Sequence, residues 1–221
     1  MGQNILPFYL VCDESGSMAG APIDSINEAM PKLHHEIGTN PVVADKTQFS
    51  IIGFSDSAEV LLELSDLSRV TSLPTVTPKG GTSYSAALRC IKDQIELDIE
   101  RLKREDHSVY RPVVFFLTDG HPSADWRTEW DALVSEQFNY RPHIVAFGIG
   151  NQVDASVISS IATFRAFIDD GTMSPAMALR EFAVALTKSI VMSGSKSQGD
   201  GMTLQTPEEV PGFKALKVEQ V

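Results

Sequence analysis

Ile5-Leu6-Pro7-Phe8-Tyr9-Leu10-Val11-Cys12-Asp13-Glu14-Ser15-Gly16-Ser17-Met18 is the stretch on which the fold turns. Its apolar part is continuous rather than alternating, which predicts a strand over 5–12 buried on both faces. The run stops abruptly at Asp-Glu-Ser-Gly-Ser, a polar turn. Downstream, Pro22 suits the first position of a helix. Ile23, Ile26, Met30, Leu33 and Ile37 then follow at spacings of three and four, one helical face. Pro31 lies inside that pattern, so a kink or local break is expected there. Strands are predicted over 49–54 and 58–64, joined in a tight hairpin by Ser55-Asp56-Ser57.

Farther along, 71–81 reads as a loop rich in Pro, Thr and Gly. Leu88, Ile91, Ile95, Ile99 and Leu102 mark the next helical face. A buried strand over 112–117 breaks at Thr118-Asp119-Gly120. A helix over 125–138 follows, then a strand over 144–147 ending in Gly148-Ile149-Gly150. Helix 157–163, strand 164–168 and helix 174–191 complete the series. Strands alternating with helices predict an α/β fold, a doubly wound and mostly parallel sheet with helices on both faces. The hairpin adds one antiparallel strand. From Ser193 the composition changes: 193–201 is rich in Ser and Gly and reads as a flexible linker. The expected organisation is one domain over 1–192, then a linker and C-terminal tail over 193–221.

The chain has 221 residues, enough for one domain with an appendage. With 18 basic and 29 acidic residues it carries a net charge of −11. Residues 193–221 hold 3 of the basic and 4 of the acidic side chains, so −10 belongs to 1–192. Nucleic-acid binding needs clustered cations, so that function class is excluded, and anionic membranes are disfavoured for the same reason. No apolar run reaches the length of a membrane span. Cys12 and Cys90 sit in apolar contexts and are read as reduced thiols rather than a disulfide framework, which suits a cytoplasmic protein.

Three segments at predicted strand ends or in loops are rich in oxygen donors: Asp13-x-Ser15-x-Ser17, Gly80-Gly81-Thr82-Ser83 and Thr118-Asp119-Gly120. Asp13, Ser15, Ser17, Thr82 and Asp119 supply two carboxylates and three hydroxyls, with no sulfur or imidazole. That set suits a hard divalent cation, Mg²⁺ or Mn²⁺, rather than zinc. Two carboxylates formally neutralise such an ion, so an incoming Asp or Glu would meet no net negative charge. Asp13, Ser15 and Ser17 also suit plain capping of the following helix.

Asp13-Glu14-Ser15-Gly16-Ser17-Met18 after an apolar strand, Gly81-Thr82, and Thr118-Asp119-Gly120 resemble the three loops of the metal-ion-dependent adhesion site of von Willebrand factor A domains. The resemblance covers about 5–191. It implies a six-stranded sheet with one antiparallel edge strand and helices on both faces. It also implies that Ser15, Ser17 and Thr82 ligate the metal directly, and that Asp13 and Asp119 do so directly or through water. Mg²⁺ is the expected ion, with Mn²⁺ or Ca²⁺ as alternatives. Arg111-Pro112 and the run Leu117-Thr118-Asp119-Gly120-His121-Pro122-Ser123-Ala124-Asp125-Trp126 further resemble the bacterial tellurium-resistance-associated proteins of the TerY type. Those proteins are encoded beside a protein kinase and a phosphatase, which implies a stress-signalling role. Some of them carry a cysteine-rich C-terminal module; this tail contains no cysteine.

Enzyme signatures fail. A haloacid-dehalogenase phosphatase would have Asp where Ser15 stands. Neither a Gly-x-Ser-x-Gly elbow nor a Gly-x₄-Gly-Lys-Ser/Thr phosphate loop is present. Gly148-Ile149-Gly150 mimics a dinucleotide fingerprint, but Val153 stands where its third glycine belongs. An EF-hand fails because Met18 and Asp24 occupy its Gly and Glu positions. His121 is expected in an exposed loop, and Trp126 is a minor candidate for a contact at the site's rim. The expected function is a non-enzymatic, cation-dependent interaction module whose protein partner contributes an Asp or Glu, in a kinase- and phosphatase-linked setting. A metal-dependent phosphoesterase and a structural subunit with a vestigial site are the alternatives.

Overall fold

The computed structural model describes residues 2–151, 153–195 and 204–218. The apolar run is strand β1 (Asn4–Asp13), buried at every position after its first. It continues through the short turn Gly16–Met18 into α1 (Ala21–Gly38), α2 (Pro41–Ala44), and the strands β2 (Thr47–Phe54) and β3 (Ala58–Ser65). Helix α3 (Tyr84–Arg104) leads through β4 (Ser108–Val109) to β5 (Val113–Thr118) and α4 (Arg127–Val134). Strand β6 (His143–Gly148), α5 (Ala155–Ile161), β7 (Arg165–Asp169), α6 (Pro175–Ser195) and β8 (Phe213–Leu216) complete it.

The sheet runs β3-β2-β1-β5-β6-β7-β8, with β4 beside the first residues of β1. Pairing is parallel from β2 through β7, and β3 is antiparallel at one edge, joined to β2 by the three-residue turn at Ser55-Asp56-Ser57. These are the six strands implied by the resemblance. Two short strands are added, and β8 makes a second antiparallel edge on β7.

Strand alternation divides the core into two layers. Phe8, Leu10 and Cys12 pack with the apolar faces of α1 and α6. Tyr9 and Val11 pack on the other side with Leu88, Ile91, Ile95 and Ile99 of α3, Leu133 of α4 and Ile158 of α5. Helix α1 runs unbroken through Pro31. That proline is on the exposed face, where water can replace the hydrogen bond its missing N–H leaves open.

The helix expected over 125–138 is shorter, because Trp126 stays outside it and Ser135 ends it. At the other end of the chain, α6 extends to Ser195, three residues into the stretch read as a linker. Residues 196–201 of that stretch, and 202–203 after it, lie outside the described residues. Leu204, Val210 and Phe213 are buried in the α1/α6 core, and the Phe213 ring meets Phe147 edge-on at 5.3 Å. Cys12 and Cys90 are free thiols. Among the described residues no helix is long and apolar enough to cross a membrane.

Candidate metal centre

Strand order reverses between the parallel neighbours β1 and β5, so the connections leaving their carboxyl ends pass to opposite faces of the sheet, a topological switch point where α/β sheets bind ligands. The registers pair Cys12 with Leu117, which sets Asp13 and Thr118 side by side at that edge. Asp13 is fully buried. Its Oδ1 accepts the Ser15 N–H at 2.8 Å and its Oδ2 accepts the Thr118 hydroxyl at 2.6 Å. Ser15 has extended backbone before the Gly16–Met18 turn, and that turn brings the two serine hydroxyl oxygens within 2.9 Å of each other. Ser17 donates to Asp119 Oδ1 at 2.7 Å, and Ser15 Oγ lies 3.5 Å from the same oxygen. Four of the five candidates are thus linked in one cluster.

Thr82 precedes α3, whose N-terminus Ser83 caps. Its loop is tied to the other two: Gly16 N–H donates to the Gly80 carbonyl at 3.1 Å, and Ser123 N–H donates to the Thr82 carbonyl at 2.9 Å. A β-carbon on Gly120 would stand 3.3 Å from Thr82 Oγ1, so the hydroxyl faces the Asp119-Gly120 turn. Gly80 has φ +61° and packs on Asp56, whose carboxylate accepts the Gly81 N–H at 3.0 Å. Glycine meets both demands there, since a β-carbon at Gly80 would fall 2.4 Å from Asp56 Oδ2.

Burial dominates the electrostatics. It pushes the Asp13 carboxyl up to about 6, against the opposing hydrogen bonds from Thr118 and Ser15. It also raises Asp119 above the usual carboxylate range, against the bond from Ser17. Neither carboxylate has an ion-pair partner among the described residues. Two desolvated carboxylates without a counter-charge fit a cation site.

The spacing is compatible with a cation as well as with hydrogen bonding. Oxygens at adjacent corners of a Mg²⁺ octahedron lie about 2.9 Å apart, and the Ser15–Ser17 and Ser17–Asp119 separations are 2.9 and 2.7 Å. Among the described residues no group of three His, Cys, Asp or Glu side chains could hold a metal ion; the candidate donors here are two carboxylates and three hydroxyls. Ser17 is exposed and Asp119 half-buried, so the cluster opens to solvent on their side.

Two supporting residues escaped the sequence reading. Thr118 holds Asp13, and Tyr84 donates to the Gly120 carbonyl at 2.9 Å while lying 3.2 Å from Thr118 Oγ1. The signal for Thr118 was its place at the strand end beside Asp119; nothing in the sequence pattern singled out Tyr84. His121 is exposed, as expected. Trp126 is not at the rim: it is buried, with its ring 6.0 Å from that of Tyr84.

Solved structures of the same fold include a von Willebrand factor type A protein from Catenulispora acidiphila, 15% identical, with a TM-score of 0.57 over 85% of this chain and 43% of that one. The ArnB paralog VWA2 from Sulfolobus acidocaldarius is 16% identical, with a TM-score of 0.54 over 83% of this chain and 44% of that one. A mutant of the PilB minor pilin from Streptococcus sanguinis is 14% identical, with a TM-score of 0.55 over 84% and 61%. The chain therefore spans less than two thirds of each of these structures. No curated protein matches the sequence. The family model for the von Willebrand factor type A domain matches residues 8–176, which include all five candidate ligands. The chain belongs to the von Willebrand factor type A domain family.

Proposed function

We propose that this A domain is a divalent-cation-dependent protein-interaction module in which Asp13, Ser15, Ser17, Thr82 and Asp119 hold Mg²⁺, with Mn²⁺ or Ca²⁺ as substitutes. The observation that carries the reading is the convergence of Ser15, Ser17 and Asp119 oxygens at 2.7–3.5 Å beside a buried Asp13 that has no ion-pair partner among the described residues. A bound cation supplies positive charge and an open coordination position to an acidic side chain of the partner. The chain's own groups do the remainder. Thr118 and the Ser15 N–H fix Asp13, Gly120 leaves room for Thr82, and exposed Ser17 marks the side from which a partner carboxylate approaches. No bond is made or broken.

For the cellular setting, the Arg111-Pro112 and Leu117–Trp126 motifs support a cytoplasmic, phosphorylation-linked stress response of the tellurium-resistance type. The free thiols Cys12 and Cys90 agree with a reducing compartment. The test is capture of partners from a lysate in Mg²⁺, followed by elution with EDTA. Wild type is expected to release a specific protein on chelation, and Asp13→Ala and Thr82→Ala to capture none while still melting cooperatively. Equal capture in EDTA overturns the reading.

A further inference from the structure

A second concave site lies at the opposite end of the sheet, where the chain enters β5 and β6. Its cavity of about 420 Å³ is lined by Lys103, Tyr110, Arg111, Asn139, Tyr140 and Arg141, with Ile99, Val109 and Pro112 beneath. That volume falls in the range of small-molecule sites. Strand β5 spans six residues, so about 20 Å of sheet separates this cavity from the metal centre.

Two of the three cationic groups are held in place. Arg111 Nε donates to the Arg141 carbonyl at 2.9 Å and its Nη2 to the Pro142 carbonyl at 3.2 Å, which leaves other guanidinium N–H groups unused. Lys103 Nζ stands 4.6 Å from the centre of the Tyr140 ring and 3.4 Å from its hydroxyl. Among the described residues none of Lys103, Arg111 and Arg141 has an ion-pair partner, although the chain carries a net charge of −11. Their uncompensated field is felt nearby. Burial and the adjacent Arg141 lower Arg111, and burial and Arg111 hold the His143 imidazole down at about 4. Three cations gathered against their mutual repulsion, beside two tyrosines and an amide, make a receptor for an anion. A guanidinium fork fixed by backbone carbonyls matches phosphate geometry better than a single halide.

We propose that this pocket binds a phosphate monoester, with Arg111 and Lys103 as its charged contacts. The group could be supplied by a free nucleotide or by a phosphorylated side chain, and the titration separates the two. AMP, a phosphoserine peptide, adenosine and the unphosphorylated peptide are titrated calorimetrically into the full chain in EDTA, which silences the metal centre. Amide chemical shifts locate the binding. The expected result is millimolar or tighter binding of at least one phosphorylated probe, with neither neutral control binding and with shifts at Lys103, Tyr110, Arg111 and Tyr140. Binding of AMP alone assigns the pocket to nucleotides, and binding of the peptide alone assigns it to phosphorylated side chains. Lys103→Met leaves the Arg111 anchors untouched, and Arg111→Gln removes the fork. Each is expected to weaken binding by about tenfold or more. Absence of binding by both phosphorylated probes overturns the proposal, as does undiminished affinity in Lys103→Met and Arg111→Gln proteins that melt like wild type.

Discussion

Asp13 is a buried acid whose two oxygens are already spoken for, one by Thr118 and one by the Ser15 N–H. Its carboxyl titrates near 6 in the metal-free fold against an ordinary value of 3.8. The folded state therefore holds the proton more tightly than the unfolded chain. The resulting stability is fully present below about pH 3.8 and is lost as pH rises through about 6. Metal-free protein is thus expected to lose stability between pH 4 and 7 from this group, and Asp13→Asn to flatten that slope in urea melts. Cation binding has the opposite trend, because the proton competes with the metal. Affinity for Mg²⁺ is expected to fall by about tenfold per unit below pH 6, read by calorimetry at constant ionic strength. Thr118→Val keeps the shape and removes the hydroxyl that orients Asp13. It is expected to cost about 10- to 100-fold in Mg²⁺ affinity while the fold persists. Glu14 was legible only as part of a motif. In the structure it is buried, accepts the Thr77 N–H at 3.1 Å and pairs with Lys79 at 3.2 Å, which fastens the first site loop to the segment leading to Thr82. Gly53 gives it passage, since a β-carbon there would fall 2.2 Å from Glu14 Oε2.

At the scale of elements, hydrophobic periodicity was enough wherever a segment buries one clear face. Helix α3 buries Leu88, Ile91, Ile95, Ile99 and Leu102, the positions that announce it in the sequence. Ile95→Ala is expected to cost about 2–5 kcal/mol in chemical denaturation. Leu97→Ala, on the exposed face of the same helix at 61% exposure, is expected to stay within about 0.5 kcal/mol of wild type. Periodicity was silent for α2, β4 and β8, which have four, two and four residues. Each is too short to complete a pattern, and each depends on what it meets: Val43 of α2 on the α6 side of the core, Ser108 on Asn4, Phe213 on Phe147. The antiparallel hairpin was legible because its turn is local. The antiparallel edge formed by β8 was not, because its pairing joins Ala166 to Leu216, far apart in the chain.

For the whole molecule, the candidate centre was more legible than the chain's end. Three short motifs separated by entire helices had to meet, and the strand order brings their loops to one edge of the sheet. Composition suggested a flexible linker from Ser193 leading into a C-terminal tail. Instead Ser193 is buried, its Oγ accepts the Gln205 N–H at 2.9 Å, and 204–218 packs on the sheet. Such burial comes from three apolar residues spaced among polar ones, a weak signal in sequence. Truncation after Ser195 removes Leu204, Val210 and Phe213 from the core, and is expected to lower unfolding free energy by at least about 3 kcal/mol in urea. A fall of less than about 1 kcal/mol would mean that the segment is not seated there in solution.

Oxygens from the ends of β1 and β5 and from the loop before α3 are proposed to form one cation site. Its most direct test is calorimetric titration of Mg²⁺ into EDTA-stripped protein at pH 7.5, repeated on Ser17→Ala and Thr82→Ala. One saturable site is expected in wild type, with loss of the binding heat in both variants and cooperative melting retained. Absence of saturable binding in a folded wild type, or wild-type affinity in both variants, would contradict that proposal.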